Sequence, residues 1–248
     1  MATAAQAPLV LLHGWGLHGA VWHGVQAALG RRTAVHAPDL PGYGPIPGPE
    51  PYDLEHLART LAASFPGDVD LCGWSLGGQV ALTWARLFPE RVRRLVLVAT
   101  TPAFTVREDW HCAVERGVLE AFAASLRQDY EGTLARFFLL QARGTDAQRA
   151  TVAALRRMVQ GLPQPPVAML EAGLKILAEA DLRTEAGAIP TPALLIQGDR
   201  DRLVPADAAR WLARRLPHAT LEWVHGSGHA PFISHLPQVV ACMERFLA

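Results

Sequence analysis

A chain of 248 residues with half of them apolar is long enough to bury one large core, so a single domain with room for an inserted subdomain is expected. Its 23 basic and 23 acidic residues cancel, which excludes a whole-molecule electrostatic footprint for nucleic acid or an anionic membrane and confines any charged partner to a local patch. The three cysteines, Cys72, Cys112 and Cys242, are odd in number and lack CxxC spacing, which argues against a disulfide framework and a zinc site and fits reduced thiols in a cytoplasm.

The opening "MATAAQAPLV" has no Lys or Arg before its apolar stretch and runs into "LLHGWG" without a small-residue cleavage site, so no leader peptide is expected. No uncharged apolar run approaches the roughly 20 residues that span a bilayer, and a soluble cytoplasmic protein is expected. Four β-rich runs follow in the first hundred residues, "PLVLLHG", "TAVHAPDLPGYG", "VDLCGWS" and "RRLVLVAT". Continuous apolar strands alternating with helices predict a mostly parallel sheet covered on both faces, an α/β architecture. Between the last two runs, Val80, Leu82, Trp84 and Leu87 predict a buried helix stopped by Pro89. From about Pro102 to Ile189 the periodicity is helical, with breaks at "RGT" and "GLPQPP", which predicts an all-helical insertion. The parallel pattern resumes with "PALLIQGDRDRLVP", a helix near "DAARWLARRLP", the strand "ATLEWV", the loop "HGSGHAPF" and a closing helix. The expected division is therefore a core of residues 1–101 and 190–248 with a helical lid over 102–189.

Chemistry concentrates in "DLCGWSLGGQV", where Ser75 stands between Gly73 and Gly77 after one predicted strand and before a helix. A serine hydroxyl is a weak nucleophile until a base takes its proton, and it must be held out on a sharp turn that only small neighbours permit. In this arrangement an acid and then a histidine follow the serine in chain order. Of ten histidines, His229 in the glycine-flanked loop "HGSGHAPF" is the expected base, ahead of His225 at a strand end and His235 at a helix start. Asp199 and Asp201 in "LLIQGDRDRLVP" both leave a strand end, and turn chemistry alone does not separate them as the orienting acid. The N–H groups of Trp15, in "LLHGWGLHG", and Leu76 are expected to form the oxyanion hole, where a single donor contributes roughly 3–4 kcal/mol. His13 is expected to order that loop rather than to act as a base, and Trp15 and Trp22 are candidate walls for an apolar chain.

Together "LLHGWGLHGAVW", "DLPGYG", "GWSLGG", "FPERVRRLVLVA", "RFFLLQ" and "GHAPFISH" resemble the α/β-hydrolase carboxylesterases of biotin synthesis, which cleave the methyl ester of pimeloyl-acyl carrier protein. The resemblance runs from Pro8 onward and is narrowest in "RFFLLQ" and "HAPFISH". It implies the α/β-hydrolase fold with an inserted helical lid, and a triad of Ser75, Asp201 and His229, with Asp201 chosen by the pattern in "GDRDRLVP". It implies substrate contacts at Trp15, Ser75, Leu76, Phe137, Phe138, Leu139, Leu140, Gln141 and His229, no metal or other cofactor, and an acyl carrier protein as the partner of a monomeric enzyme.

From Arg136 to Arg157 five arginines (136, 143, 149, 156 and 157) face one acid, Asp146, and the spacing of seven pairs Arg136 with Arg143 and Arg149 with Arg156 if each segment is helical throughout. Of the arginines with which such esterases hold the carrier, two fall on Arg136 and Arg149 and two meet Gly132 and Ala153, with Arg156 and Arg157 nearby as replacements. A short N-terminus is expected to leave out most of the antiparallel edge strands that often open this fold. The other readings are a generalist short-chain esterase or lactonase of the same fold, and a non-catalytic ligand-binding module.

Overall fold

In the computed structural model, which describes residues 7–248, the apolar runs become six strands. In chain order the elements are β1 (Leu9–Leu12), α1 (His23–Leu29), β2 (Val35–His36), α2 (Leu54–Ser64), β3 (Val69–Trp74), α3 (Leu76–Leu87) and β4 (Val92–Val98). After them come α4 (Arg116–Gln128), α5 (Tyr130–Ala142), α6 (Gln148–Val159), α7 (Val167–Glu179) and α8 (Arg183–Ala186). The chain closes with β5 (Ala193–Gly198), α9 (Ala206–Arg215), β6 (Ala219–Val224), α10 (Pro231–Ser234) and α11 (Leu236–Leu247).

The strands pair in the order β2-β1-β3-β4-β5-β6, and every pairing is parallel. A parallel sheet carries helices on both faces, which is why β1, β3 and β5 are mostly apolar and buried along their whole length, with Asp70 in β3 and Gln197 in β5 as the polar exceptions. The strand period of two still sorts them. Val10, Leu12, Leu71, Leu95, Leu97 and Leu195 point into one core layer, with α2, α3 and α9. Leu9, Leu11, Cys72, Trp74, Val96, Val98 and Ile196 point into the other, with α1, α10 and α11.

The sequence runs from β1 outward to β2 and then returns to β3 on the opposite side of β1, so the winding direction reverses between β1 and β3. In open α/β sheets a crevice forms beyond the carboxyl ends of the strands at such a point. The stretch between β4 and β5 crosses that edge. It begins with an irregular turn closed by isolated bridges between Thr105 and Val114 and between Arg107 and Trp110, and continues as α4 to α8. Its apolar residues enter both layers, Leu119, Leu126, Leu170 and Leu174 in the first and Phe138, Ala142, Val152 and Leu155 in the second. The three cysteines are free. Among the described residues no helix is long and apolar enough to cross a membrane. The leader expectation rests partly on residues 1–6, which lie outside the described residues.

Candidate active site

Ser75 takes the tight turn between β3 and α3 at φ 56° and ψ −118°, a left-handed backbone that a residue with a Cβ adopts only under constraint from its surroundings. The constraint is visible in its hydrogen bonds. Its N–H donates to the Val98 carbonyl at 3.1 Å, and its carbonyl accepts from the N–H groups of Gly78 at 2.9 Å and Gln79 at 3.2 Å. A Cβ on Gly73 would strike the Gly77 carbonyl, and one on Gly77 would strike the carbonyls of Leu12 and His13. Gly78, which sequence reasoning did not single out, is equally confined, because a Cβ there would meet the Thr100 side chain. Ser75 itself is half-buried while its neighbours on both sides are buried, so the turn presents the hydroxyl and little else.

His229 and Asp201 meet in the interior. His229 Nδ1 lies 2.8 Å from Asp201 Oδ2, with both side chains almost wholly enclosed. The carboxylate is fully used: Oδ2 also accepts from Gln197 Nε2 at 3.0 Å, and Oδ1 accepts from the N–H groups of Leu203 at 2.8 Å and Val204 at 3.0 Å. With Asp201 accepting, Nδ1 carries the proton and Nε2 is left as the basic nitrogen. That Nε2 is buried and has no hydrogen-bond partner among the described residues. No hydrogen bond joins it to Ser75 Oγ; such contacts commonly tighten only once substrate is bound. The backbone of His229 is clamped from both sides, its N–H on the Gln141 carbonyl at 2.8 Å and its carbonyl on Trp74 Nε1 at 2.8 Å. Gln197, Trp74 and the Gln141 carbonyl were not identified as positioning groups from sequence, since nothing in a strand or helix pattern marks which polar atom turns inward.

The competing residues lie elsewhere. Asp199 pairs with His225 Nδ1 at 3.0 Å and caps the Gly226 N–H at 2.8 Å, on the surface. His235 is the residue before α11, with Nδ1 2.8 Å from Ser234 Oγ.

On the other side of the turn, His13 is buried with both ring nitrogens occupied. Nδ1 donates to the Gly14 carbonyl at 2.8 Å and Nε2 accepts from the Leu40 N–H at 2.8 Å, tying the "HGWG" loop to "DLPG". Burial pulls its pKa down to about 4, so the ring is neutral and serves as a staple. The N–H groups of Trp15 and Leu76 have no backbone partner among the described residues. Trp15 is anchored through Nε1, which donates to the Leu170 carbonyl at 2.8 Å, and its ring meets Phe137 and Phe122 edge-on at 5.0 and 5.5 Å.

Helix α5 roofs this region. Phe137 and Leu140 line an apolar cavity of about 50 Å³ with Trp15, Phe104, Phe122 and Leu203. A helix cannot turn five successive residues to one face, and the expected contact run divides accordingly. Phe138 packs into the second core layer, and Leu139 is 43% exposed. Gln141 is buried with neither side-chain amide atom partnered among the described residues. Trp22 is likewise core, stacked on Phe232 at 4.2 Å and fully enclosed, so it walls no pocket.

All five arginines of the 136–157 stretch are exposed. Arg136 donates to Thr133 Oγ1 and pairs with Asp129 at 3.5 Å. Arg143 does not share its helix face, because α5 stops at Ala142 and Arg143 turns out of the helix. Arg149, Arg156 and Arg157 ride on α6 with no acid partner among the described residues, and Asp146 is taken by Arg200 at 3.2 Å.

The alpha/beta hydrolase family matches residues 9–241. The chain is 44% identical over 236 residues to a pimeloyl-[acyl-carrier protein] methyl ester esterase of Nitrosomonas europaea, covering 95% of this chain and 94% of that protein. It is 44% identical over 248 residues to the protein of the same name from Chromobacterium violaceum, covering 99% and 96%. In shape it is similar to an esterase from Exiguobacterium antarcticum, with a TM-score of 0.86 at 20% identity over 99% of this chain and 93% of that one, a likeness of fold.

Proposed function

The chain belongs to the alpha/beta hydrolase family and, within it, to the pimeloyl-[acyl-carrier protein] methyl ester esterases, and from that premise we propose that it releases methanol from the methyl ester of pimeloyl-acyl carrier protein in biotin synthesis. It is a carboxylic ester hydrolase, and Ser75, His229 and Asp201 carry the reaction. The substrate-bearing carrier is its partner, and the enzyme works as a cytoplasmic monomer.

His229 Nε2 removes the Ser75 Oγ proton as the oxygen attacks the ester carbonyl. The carbonyl oxygen becomes an oxyanion and is received by the N–H groups of Trp15 and Leu76, at the start of α3 where the helix dipole favours negative charge. Asp201 keeps the Nδ1 proton in place and stabilises the imidazolium. The imidazolium then gives its new proton to the methoxy oxygen, the carbon–oxygen bond breaks, and methanol departs, leaving an acyl-enzyme on Ser75. Water attacks in its turn with Nε2 as base, Ser75 recovers its proton, and the free carboxyl end leaves with the carrier.

The observation that carries this reading is the near full-length likeness to the named esterases, joined to a buried Asp201–His229 pair whose Nε2 is unspent. The test is kcat/KM for the carrier-bound methyl ester against a free nitrophenyl ester. A preference of about tenfold or more for the carrier-bound substrate is expected. Equal values would leave a generalist esterase.

A further inference from the structure

A second recess, of about 530 Å³, opens beside the oxyanion loop. Its walls are Gly16 and His18 of that loop, Tyr130, Glu131 and Leu134 of α5, Arg156 of α6 and the turn at 159–165. A neighbouring recess shares His18 and residues 162–164 with it, so the space continues along the proline-rich turn. The two hollows that border the Trp15–Gly16 loop differ in kind. The one under Phe137 is small and lined by apolar side chains alone, whereas this one is wide and mixed.

Part of its wall is the bare backbone of Gly16. Gly16 sits at φ +71°, and a Cβ there would come within 3.2 Å of Leu134 Cδ2, so the glycine keeps the loop bare next to the proposed oxyanion donor at Trp15. The recess carries one arginine, Arg156, which is exposed and has no acid partner among the described residues. Glu131, in the first turn of α5, is the acid on the same wall. Tyr130 lines the same recess, and its hydroxyl is buried with no partner among the described residues, a state that costs free energy until an acceptor or donor arrives.

The carrier-bound reading fixes what must pass here. An ester at the far end of a chain enters tip first, and the prosthetic arm that holds the chain trails outward from Ser75. That arm bears amides along its length and a phosphodiester where it meets the carrier, so it needs a wide mixed channel with a cation near the mouth. We propose that the recess running from Gly16 to Arg156 is the channel for this arm, with Arg156 pairing the phosphate and the Tyr130 hydroxyl meeting an arm amide. The inference rests on the carrier-bound substrate assigned above. It gives Arg156 to the arm and leaves Arg149 and Arg157 to face the carrier.

Three substrates without carrier protein test it: the methyl pimeloyl thioester of phosphopantetheine, the same thioester of pantetheine, and dimethyl pimelate. In Arg156→Gln the ratio of kcat/KM for the phosphopantetheine thioester to that for the pantetheine thioester falls about tenfold from its wild-type value. In Tyr130→Phe the ratio of the pantetheine thioester to dimethyl pimelate falls, while the first ratio holds. If neither ratio moves, or if the wild-type enzyme gains nothing from either arm yet still prefers the carrier-bound ester, the channel is wrong and the esterase assignment stands. If the wild-type enzyme shows no preference for carrier-bound ester at all, the failure belongs to the assignment itself.

Discussion

His13 and His229 are both buried histidines whose Nδ1 donates to an oxygen, yet only His229 keeps a lone pair for chemistry. His13 spends its Nε2 on the Leu40 N–H, and that difference predicts a stability effect. Its pKa is about 4 in the fold against an ordinary 6.5, so between those values the unfolded chain binds the extra proton and the folded one does not. The stabilising contribution is therefore complete above pH 6.5 and is lost as pH falls to about 4, an amount of about 3 kcal/mol from a shift of this size. In urea titrations from pH 7 to pH 4, wild-type stability falls more steeply than that of His13→Gln; equal slopes would mean that His13 is not held neutral.

The two aspartates make the same point. Asp199 and Asp201 both leave the end of β5, and turn propensity does not rank them. The fold separates them through Gln197 and the N–H groups of Leu203 and Val204, which gather on Asp201 alone. An asparagine at 201 must turn an NH₂ toward one of these donors or toward His229. Asp201→Asn is accordingly expected to lower kcat by on the order of 10³ to 10⁴, and Asp199→Asn to change it by less than about twofold. Steady-state kinetics on any methyl ester reads the difference, and comparable losses would remove Asp201 from the proposed triad.

At the scale of elements, legibility followed the buried strands. Residues 69–74 and 193–198 have no exposed position, so apart from Asp70 and Gln197 they read as apolar runs, the pattern of strands in a parallel sheet. "RFFLLQ" was harder, because a family resemblance gives a run and a helix distributes it: Phe137 and Leu140 to the cavity, Phe138 to the core and Leu139 to solvent. The carbonyl of Gln141, which holds the His229 backbone, leaves its mark only on Gly228, where a Cβ would strike it, and a glycine in a loop does not say which distant segment approaches. The arginine spacing held where the helix did, on α6, and failed at Arg143, past the end of α5. Reversal of Arg149 and Arg157 to Glu is expected to reduce the ratio of carrier-bound to free-ester kcat/KM by about tenfold or more at low salt, with the effect shrinking as ionic strength rises. A ratio insensitive to both charge and salt would place carrier docking elsewhere.

For the whole molecule, the winding order explains why the site lies where it does. The reversal between β1 and β3 sets the "HGWG" loop and Ser75 side by side, and the segment between β4 and β5 closes over them by sharing side chains with both core layers. Sequence alone pointed to the sheet and the tight turn at Ser75, whereas the recess beside Gly16 is formed by α5, α6 and the 159–165 turn, parts brought together only by packing. The central claim is that Ser75 cuts a distal methyl ester and spares the thioester that holds the chain. Intact mass of methyl pimeloyl-acyl carrier protein after exposure to the enzyme tests it most directly. The account predicts a decrease of one methylene with the acyl chain still attached, abolished in Ser75→Ala; loss of the whole acyl group, or unchanged turnover by Ser75→Ala, would contradict it.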